Sequence, residues 1–181
     1  MNQTRLKLWI PVIFWTAAIY GTVYVARPIS NMLLKKTPLG ILINIALLAI
    51  LMMLGFIIIK KIQIRKPSSY ILLSIIGLCY LIGLRMFWIP AEKIHFLEYG
   101  LLAFLIFRAL AFDRPPWQAY AAALILTILI GWGDECLQSI TPGRYYQFPD
   151  VMLNAASGVL ELLLTFVARR EQKPNCQFGM R

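Results

Sequence analysis

Between two long apolar stretches the chain reads GWGDECLQSITPGRYYQFPDVMLN at 131–154. Asp134, Glu135, Gln138, Arg144 and Asp150 fall inside it, and Asn154, Ser157, Gly158 and Glu161 continue from Asp150 at helical spacing. Glu92, His95 and Tyr99 recur three and four residues apart at the start of an earlier apolar run, so they share a helix face, with Lys93 and Glu98 beside them. Asp134 and Glu135 form a like-charge pair of the kind suited to proton transfer, or a clamp between helices. His95 is the single histidine; it could work as an acid or base, ligate a metal, or hold a structural hydrogen bond. With several carboxylates around it a divalent cation could be held, although no spacing is diagnostic of one and no other cofactor is evident. Arg144 could pair with Asp150 or Glu135, or hold an anionic group such as a phosphate or carboxylate. Tyr145, Tyr146 and Phe148 fit either the aromatic belt of a membrane interface or a surface for stacking on a sugar or lipid headgroup. No nucleophile elbow, phosphate-binding loop or HExxH zinc motif accompanies these residues.

The scaffold that must position them is a membrane bundle. Of 181 residues, 60% are hydrophobic and 14% charged, with a mean hydropathy of +0.70; ordinary soluble domains carry about 25% charged residues. So few charges could not cover the apolar surface of a soluble fold. Apolar segments run over roughly 8–26, 39–59, 70–90, 94–112, 117–137 and 149–168, each near the ~20 residues that span the hydrocarbon core. In lipid each must be a helix, because an open strand leaves backbone groups unpaired. The expectation is an all-α polytopic bundle of about six spanning helices. Residues 1–90 would supply three N-terminal spans, 91–168 the helices that carry the polar site, and 169–181 a basic cytoplasmic tail. The first segment has no small-residue cleavage site and reads as a retained anchor. Cys79, Cys136 and Cys176 have neither metal spacing nor the pattern of a disulfide framework.

Net charge is +10, and its placement follows the positive-inside rule better than a nucleic-acid footprint. Six spans put Arg5, Lys7, Lys60, Lys61, Arg65, Lys66, Arg108, Arg114, Arg169, Arg170, Lys173 and Arg181 on one side. The other side receives Arg27, Lys35, Lys36, Arg85, Lys93 and Arg144. That asymmetry places both termini in the cytoplasm and the 134–148 loop outside. Six of the eight acids, Glu92, Glu98, Asp134, Glu135, Asp150 and Glu161, then belong to the outward half of the bundle. The stripe from Asp150 to Glu161 should face the bundle interior or a water-filled cavity, and Ser157 and Gly158 allow close helix approach. TPGR at 141–144 reads as a type II turn with Gly143 at the position that needs φ > 0.

EKIHFLEYGLLAFLIFRAL at 92–110 followed by DECLQSITPGRYYQFPDVMLNAASG at 134–158 resembles the VanZ-like family of bacterial membrane proteins. The positions that carry the likeness are Lys93, His95 and Tyr99 at one helix start, Glu135 and Gln138 at a helix end, Arg144 in the loop, and Asp150, Asn154 and Gly158 at the next helix start. The resemblance covers roughly residues 90–165, and the first three spans are generic. It implies a place in the bacterial cytoplasmic membrane and a link to the cell envelope. The family's founding member is associated with reduced susceptibility to the glycopeptide teicoplanin. It does not supply a reaction.

Three functional readings follow. In the first, an outward site binds or modifies an amphipathic envelope molecule, such as a lipid-linked glycan or lipoglycopeptide. Glu135 and His95 would carry acid–base or hydrogen-bonding chemistry. Arg144, Tyr145, Tyr146, Gln138, Asp150, Asn154, Lys93 and Tyr99 would form the binding surface. In the second, a non-enzymatic interaction protein uses the same groups to lock its last three spans together. In the third, a small transporter or flippase uses the stripe of the sixth span; the repeats or broken helices expected of a transporter are not evident. Membrane lipids are the partners common to all three, and nothing points to nucleic acid.

Overall fold

The computed structural model describes residues 3–62, 64–86 and 90–171; the side chains of Glu92, Arg27, Lys35, Lys36 and Lys61, and the tail with Lys173, Cys176 and Arg181, lie outside the described residues. The described chain is all-helical, with no strand. Its elements are α1 (Gln3–Lys36), α2 (Leu39–Ile62), α3 (Pro67–Met86), α4 (Pro90–Leu110), α5 (Pro116–Ser139) and α6 (Phe148–Glu171). Each expected span is a helix, and five are long and apolar enough to cross a membrane: α2, α3, α5, α6 and the Gln3–Val25 part of α1.

The exception, α4, is the one most enclosed by protein. It packs against α1, α2, α5 and α6, and its Tyr99, Leu102, Ala103 and Ile106 are fully buried. A helix lined by other helices has no need of a lipid-compatible surface, which is why Lys93, His95 and Glu98 sit on it without penalty from hydrocarbon. The main core joins Val12 and Ile19 of α1, the 99–110 face of α4, Ala119 and Ala123 of α5, and Leu162 of α6. A second cluster joins Ile76 and Tyr80 of α3, Phe96 of α4 and Leu153 of α6. By contrast α2 turns Ile41, Ile45, Met52 and Phe56 outward, as a helix facing lipid does.

Small residues set the tightest approaches, as expected for helix packing without a hydrophobic driving force. A methyl group at Gly158 would lie 3.0 Å from Thr127 Cγ2 and 3.7 Å from Ala103 Cβ, so α6 lies close to both α4 and α5 at this point. At Gly83 an added methyl would run into the Phe96 ring.

Contacts between helix ends sort the bundle into two ends. Arg5 Nη2 lies 3.2 Å from Asp113 Oδ2, and the Arg169 guanidinium lies 5.2 Å over the Phe107 ring. Glu171 accepts hydrogen bonds from Ser69 Oγ at 2.6 Å and from Arg65 N–H at 2.9 Å, tying the end of α6 to the α2–α3 connection and the first turn of α3. The start of α1, the 64–69 and 110–115 connections and the end of α6 therefore share one end, the end that holds most of the basic residues. The 140–147 connection is at the other.

One segment departs from expectation. RPISNMLLKK at 27–36 reads as a loop, yet α1 continues through Pro28 to Lys36. Pro28 removes one backbone bond, a loss that helices at membrane depth tolerate because neighbouring groups re-satisfy the freed carbonyl. The residues after it, rich in Ile, Met, Leu and Lys, sustain the helix. Its 34 residues extend about 51 Å, well beyond a ~30 Å core, so α1 tilts or projects.

Candidate functional site

The end of α5 and the start of α6 are joined by a turn that the sequence dictates. Arg144 N–H donates to Thr141 O at 3.1 Å, and Gly143 takes φ 76°, as the TPGR reading requires. The turn brings α6 back antiparallel to α5, so Asp150 and Asn154 return alongside Glu135 and Gly131. A methyl group at Gly131 would lie 2.9 Å from Asn154 Cβ and 3.2 Å from Tyr99 Cε1; α4, α5 and α6 therefore meet at this glycine.

Around it lies a buried polar nest. Asp134 Oδ2 accepts from Tyr99 Oη at 2.9 Å and from Gln138 Nε2 at 3.0 Å. Asn154 Nδ2 donates to Gly131 O at 3.5 Å. Glu135 Oε2 accepts from Gln147 N–H at 3.2 Å, and Gln147 Nε2 donates to Asp150 Oδ2 at 3.4 Å. His95 Nδ1 approaches Glu98 Oε2 at 3.2 Å but off hydrogen-bonding geometry. Its charged neighbours also include Asp134 and Asp150, and its ring centroid is 5.7 Å from that of Tyr99. Tyr99, Asp134, Glu135, Gln138 and Asn154 are each no more than 2% exposed. Among the described residues no group of three or more His, Cys, Asp or Glu side chains is arranged to hold a metal ion.

The other expected site residues surround this nest at different depths. Arg144 Nη1 donates to Val23 O of α1 at 3.0 Å. Tyr145, Tyr146 and Phe148 are exposed beside it, Tyr145 at 80%. Lys93 turns toward α2, where Nζ donates to Asn44 Oδ1 at 2.8 Å. Glu161 sits deeper along α6, with its Cβ near Gly100 and Tyr80 close by.

Four contributors escaped the sequence reading. Gln147 staples the α5 end to the α6 start. Asn44 receives Lys93; as the only asparagine of an otherwise apolar span it carried a legible signal, since polar groups at membrane depth need a partner. Trp15 Nε1 donates to Glu98 O at 2.9 Å, and Tyr20 Oη donates to Ile130 O at 2.9 Å. Both come from α1 and end on backbone carbonyls, which leave no trace in residue types.

Comparison with known protein families matches residues 80–169 to the family described as VanZ/LLP1. No curated protein and no solved structure matches the chain.

Proposed function

The chain belongs to the VanZ-like family through residues 80–169, and from that premise we propose that it binds an amphipathic cell-envelope molecule at the end of the bundle formed by the 140–147 connection. That end faces outward from the bacterial cytoplasmic membrane in this reading, because the opposite end carries most of the basic side chains. A lipid-linked glycan or lipoglycopeptide is the ligand class, and lowered susceptibility to teicoplanin is the expected consequence. The observation that carries the reading is the juxtaposition of two unlike surfaces. A buried nest of Tyr99, Asp134, Glu135, Gln138 and Asn154 lies beneath the 140–147 connection and the start of α6, which expose Tyr145, Tyr146 and Phe148. An apolar tail would rest in the bilayer while a polar head reaches the nest. Tyr145 and Tyr146 would stack on that head, and Glu135 with His95 would supply hydrogen bonds or proton transfer.

The test is expression in a glycopeptide-susceptible bacterial host. Glu135→Gln keeps an acceptor for the Gln147 N–H but removes the charge; His95→Asn keeps polarity but cannot titrate. Each is expected to abolish teicoplanin protection at unchanged membrane abundance. Protection that survives both changes would favour the non-enzymatic reading, which the bond from Tyr99 to Asp134 supports because it ties α4 to α5 without any ligand. A wild-type chain that gives no protection would refute the antibiotic link.

A further inference from the structure

The nest is short of donors, and its shortage has a pattern. Asp134 Oδ1, Glu135 Oε1, Gln138 Oε1 and Asn154 Oδ1 are all closed off from solvent, and none has a hydrogen-bond partner. Their side chains are 1%, 0%, 2% and 0% exposed. They are not scattered. Asp134 and Gln138 are bonded to each other, and Asn154 packs on Gly131, one turn below Asp134 and Glu135. All four atoms are acceptors, two of them on carboxylates. Buried acceptors persist when something satisfies them, and a carboxylate in a low-dielectric interior calls for a cation in particular.

We infer that the site recognises a primary ammonium group. Such a group presents three N–H donors and no acceptor, which matches the four unpartnered oxygens of Asp134, Glu135, Gln138 and Asn154. The inference rests on the proposed reading that this end of the bundle takes an amphipathic envelope molecule, and it names the part of that molecule that is recognised. A hydroxyl-rich head fits less well, because each hydroxyl brings acceptor lone pairs of its own. A metal ion fits less well, because the described residues offer no ligating group of three. Entry has a route. Gln147 lends Glu135 and Asp150 its N–H and Nε2 donors at 3.2 and 3.4 Å, both long for hydrogen bonds. An ammonium replaces them with shorter, charge-assisted bonds as the 140–147 connection lifts, and the exposed Tyr145 and Tyr146 rings line its approach.

The chemistry could come from a lipid headgroup or from the free amine of a glycan or peptide, and two comparisons separate these sources. The full-length protein is reconstituted in nanodiscs of phosphatidylcholine, whose trimethylated head has no N–H, and in discs where half of it is replaced by phosphatidylethanolamine. Thermal unfolding is then followed with and without glucosamine or N-acetylglucosamine, which differ by the blocked amine. Ligand at about 100 times Kd is expected to raise Tm by roughly 5–10 °C. A rise with phosphatidylethanolamine alone assigns a lipid headgroup; a rise with glucosamine but not N-acetylglucosamine assigns a glycan amine. Either response should disappear in Glu135→Gln. Equal Tm values throughout, or N-acetylglucosamine acting as well as glucosamine, would overturn the assignment. If Glu135→Gln does not accumulate, the wild-type comparison decides alone. An amine response without teicoplanin protection retires the antibiotic reading and leaves the ammonium site. Protection that depends on Glu135 without any amine response retires the ammonium site only.

Discussion

Replacing Gly131 by alanine tests whether α4, α5 and α6 meet as closely as the nest requires. The added methyl lies 2.9 Å from Asn154 Cβ, 3.2 Å from Asn154 Nδ2 and 3.2 Å from Tyr99 Cε1. Carbon atoms settle at about 3.5–4.0 Å, so the nearest contact is too short by roughly 0.6 Å or more. Asn154 Cβ is bonded to the α6 backbone and cannot swing aside; α6 must shift away from α5. Overpacking of this kind costs about 1–3 kcal/mol. Against it stands the gain from alanine over glycine within a helix, about 0.8–1.0 kcal/mol. The net loss is up to about 2 kcal/mol. For a chain of this size that lowers Tm by up to about 8 °C. The matched controls are Gly55→Ala in α2 and Gly77→Ala in α3, where an added methyl meets nothing within 4 Å; only the helical gain remains, so Tm should hold or rise. Circular dichroism at 222 nm in one detergent compares all four proteins. If Gly131→Ala melts with the two controls, the close packing at Gly131 is wrong, and with it the convergence of Tyr99, Asp134 and Asn154.

Two further outcomes are expected. In a cysteine-free background, Tyr145→Cys should react with an impermeant thiol reagent only from outside the cell and Lys66→Cys only from inside; labelling of both from one face would sink the six-span topology and the outward site. Arg144→Ala loses the bond to Val23 O, a part-buried contact from a charged donor worth about 1–2 kcal/mol, and should melt about 2–8 °C below wild type; unchanged melting with lost teicoplanin protection would show instead that Arg144 serves a ligand.

The division between what the sequence reveals and what it hides follows the physics of each feature. The spans of α2 and α3 are legible because lipid-facing helices must be apolar along their length. The 141–144 turn is legible because Pro142 and Gly143 each answer a backbone requirement, and the structure places Gly143 at φ 76°. The gathering of Tyr99, Asp134, Glu135, Gln138 and Asn154 is legible because helical spacing puts them on facing stripes. The centrality of α4 is not. Hydropathy reports exposure to lipid, and a helix wrapped by four others is released from that demand, so its charges read as weakness when they mark enclosure. The destination of Lys93 is hidden for a related reason. Its sequence neighbours are Glu92, His95 and Glu98, but its Nζ reaches Asn44 on α2.

The largest omission concerns α1, and it bears on where the functional unit ends. The family match begins at residue 80, and nothing in the composition of α1 sets it apart from a generic span. Yet Val12 and Ile19 belong to the main core with α4, α5 and α6. Three bonds also tie α1 to the matched region: Trp15 to Glu98 O, Tyr20 to Ile130 O, and Arg144 to Val23 O. Tyr20 packs so tightly against α5 that a methyl at Gly133 would come within 2.6 Å of its hydroxyl. All three bonds end on backbone carbonyls. A carbonyl is supplied by any residue, so the Arg144 bond makes no demand on the residue type at position 23. Arg144 can thus carry the family signature while Val23, which receives it, carries none. The wall that α1 builds beside Asp134 is part of the site by geometry, although the match does not reach it. Without α1, Arg144 and the Glu98 carbonyl would lose these partners at the mouth and flank of the nest, and the 140–147 connection would lose its tie to α1.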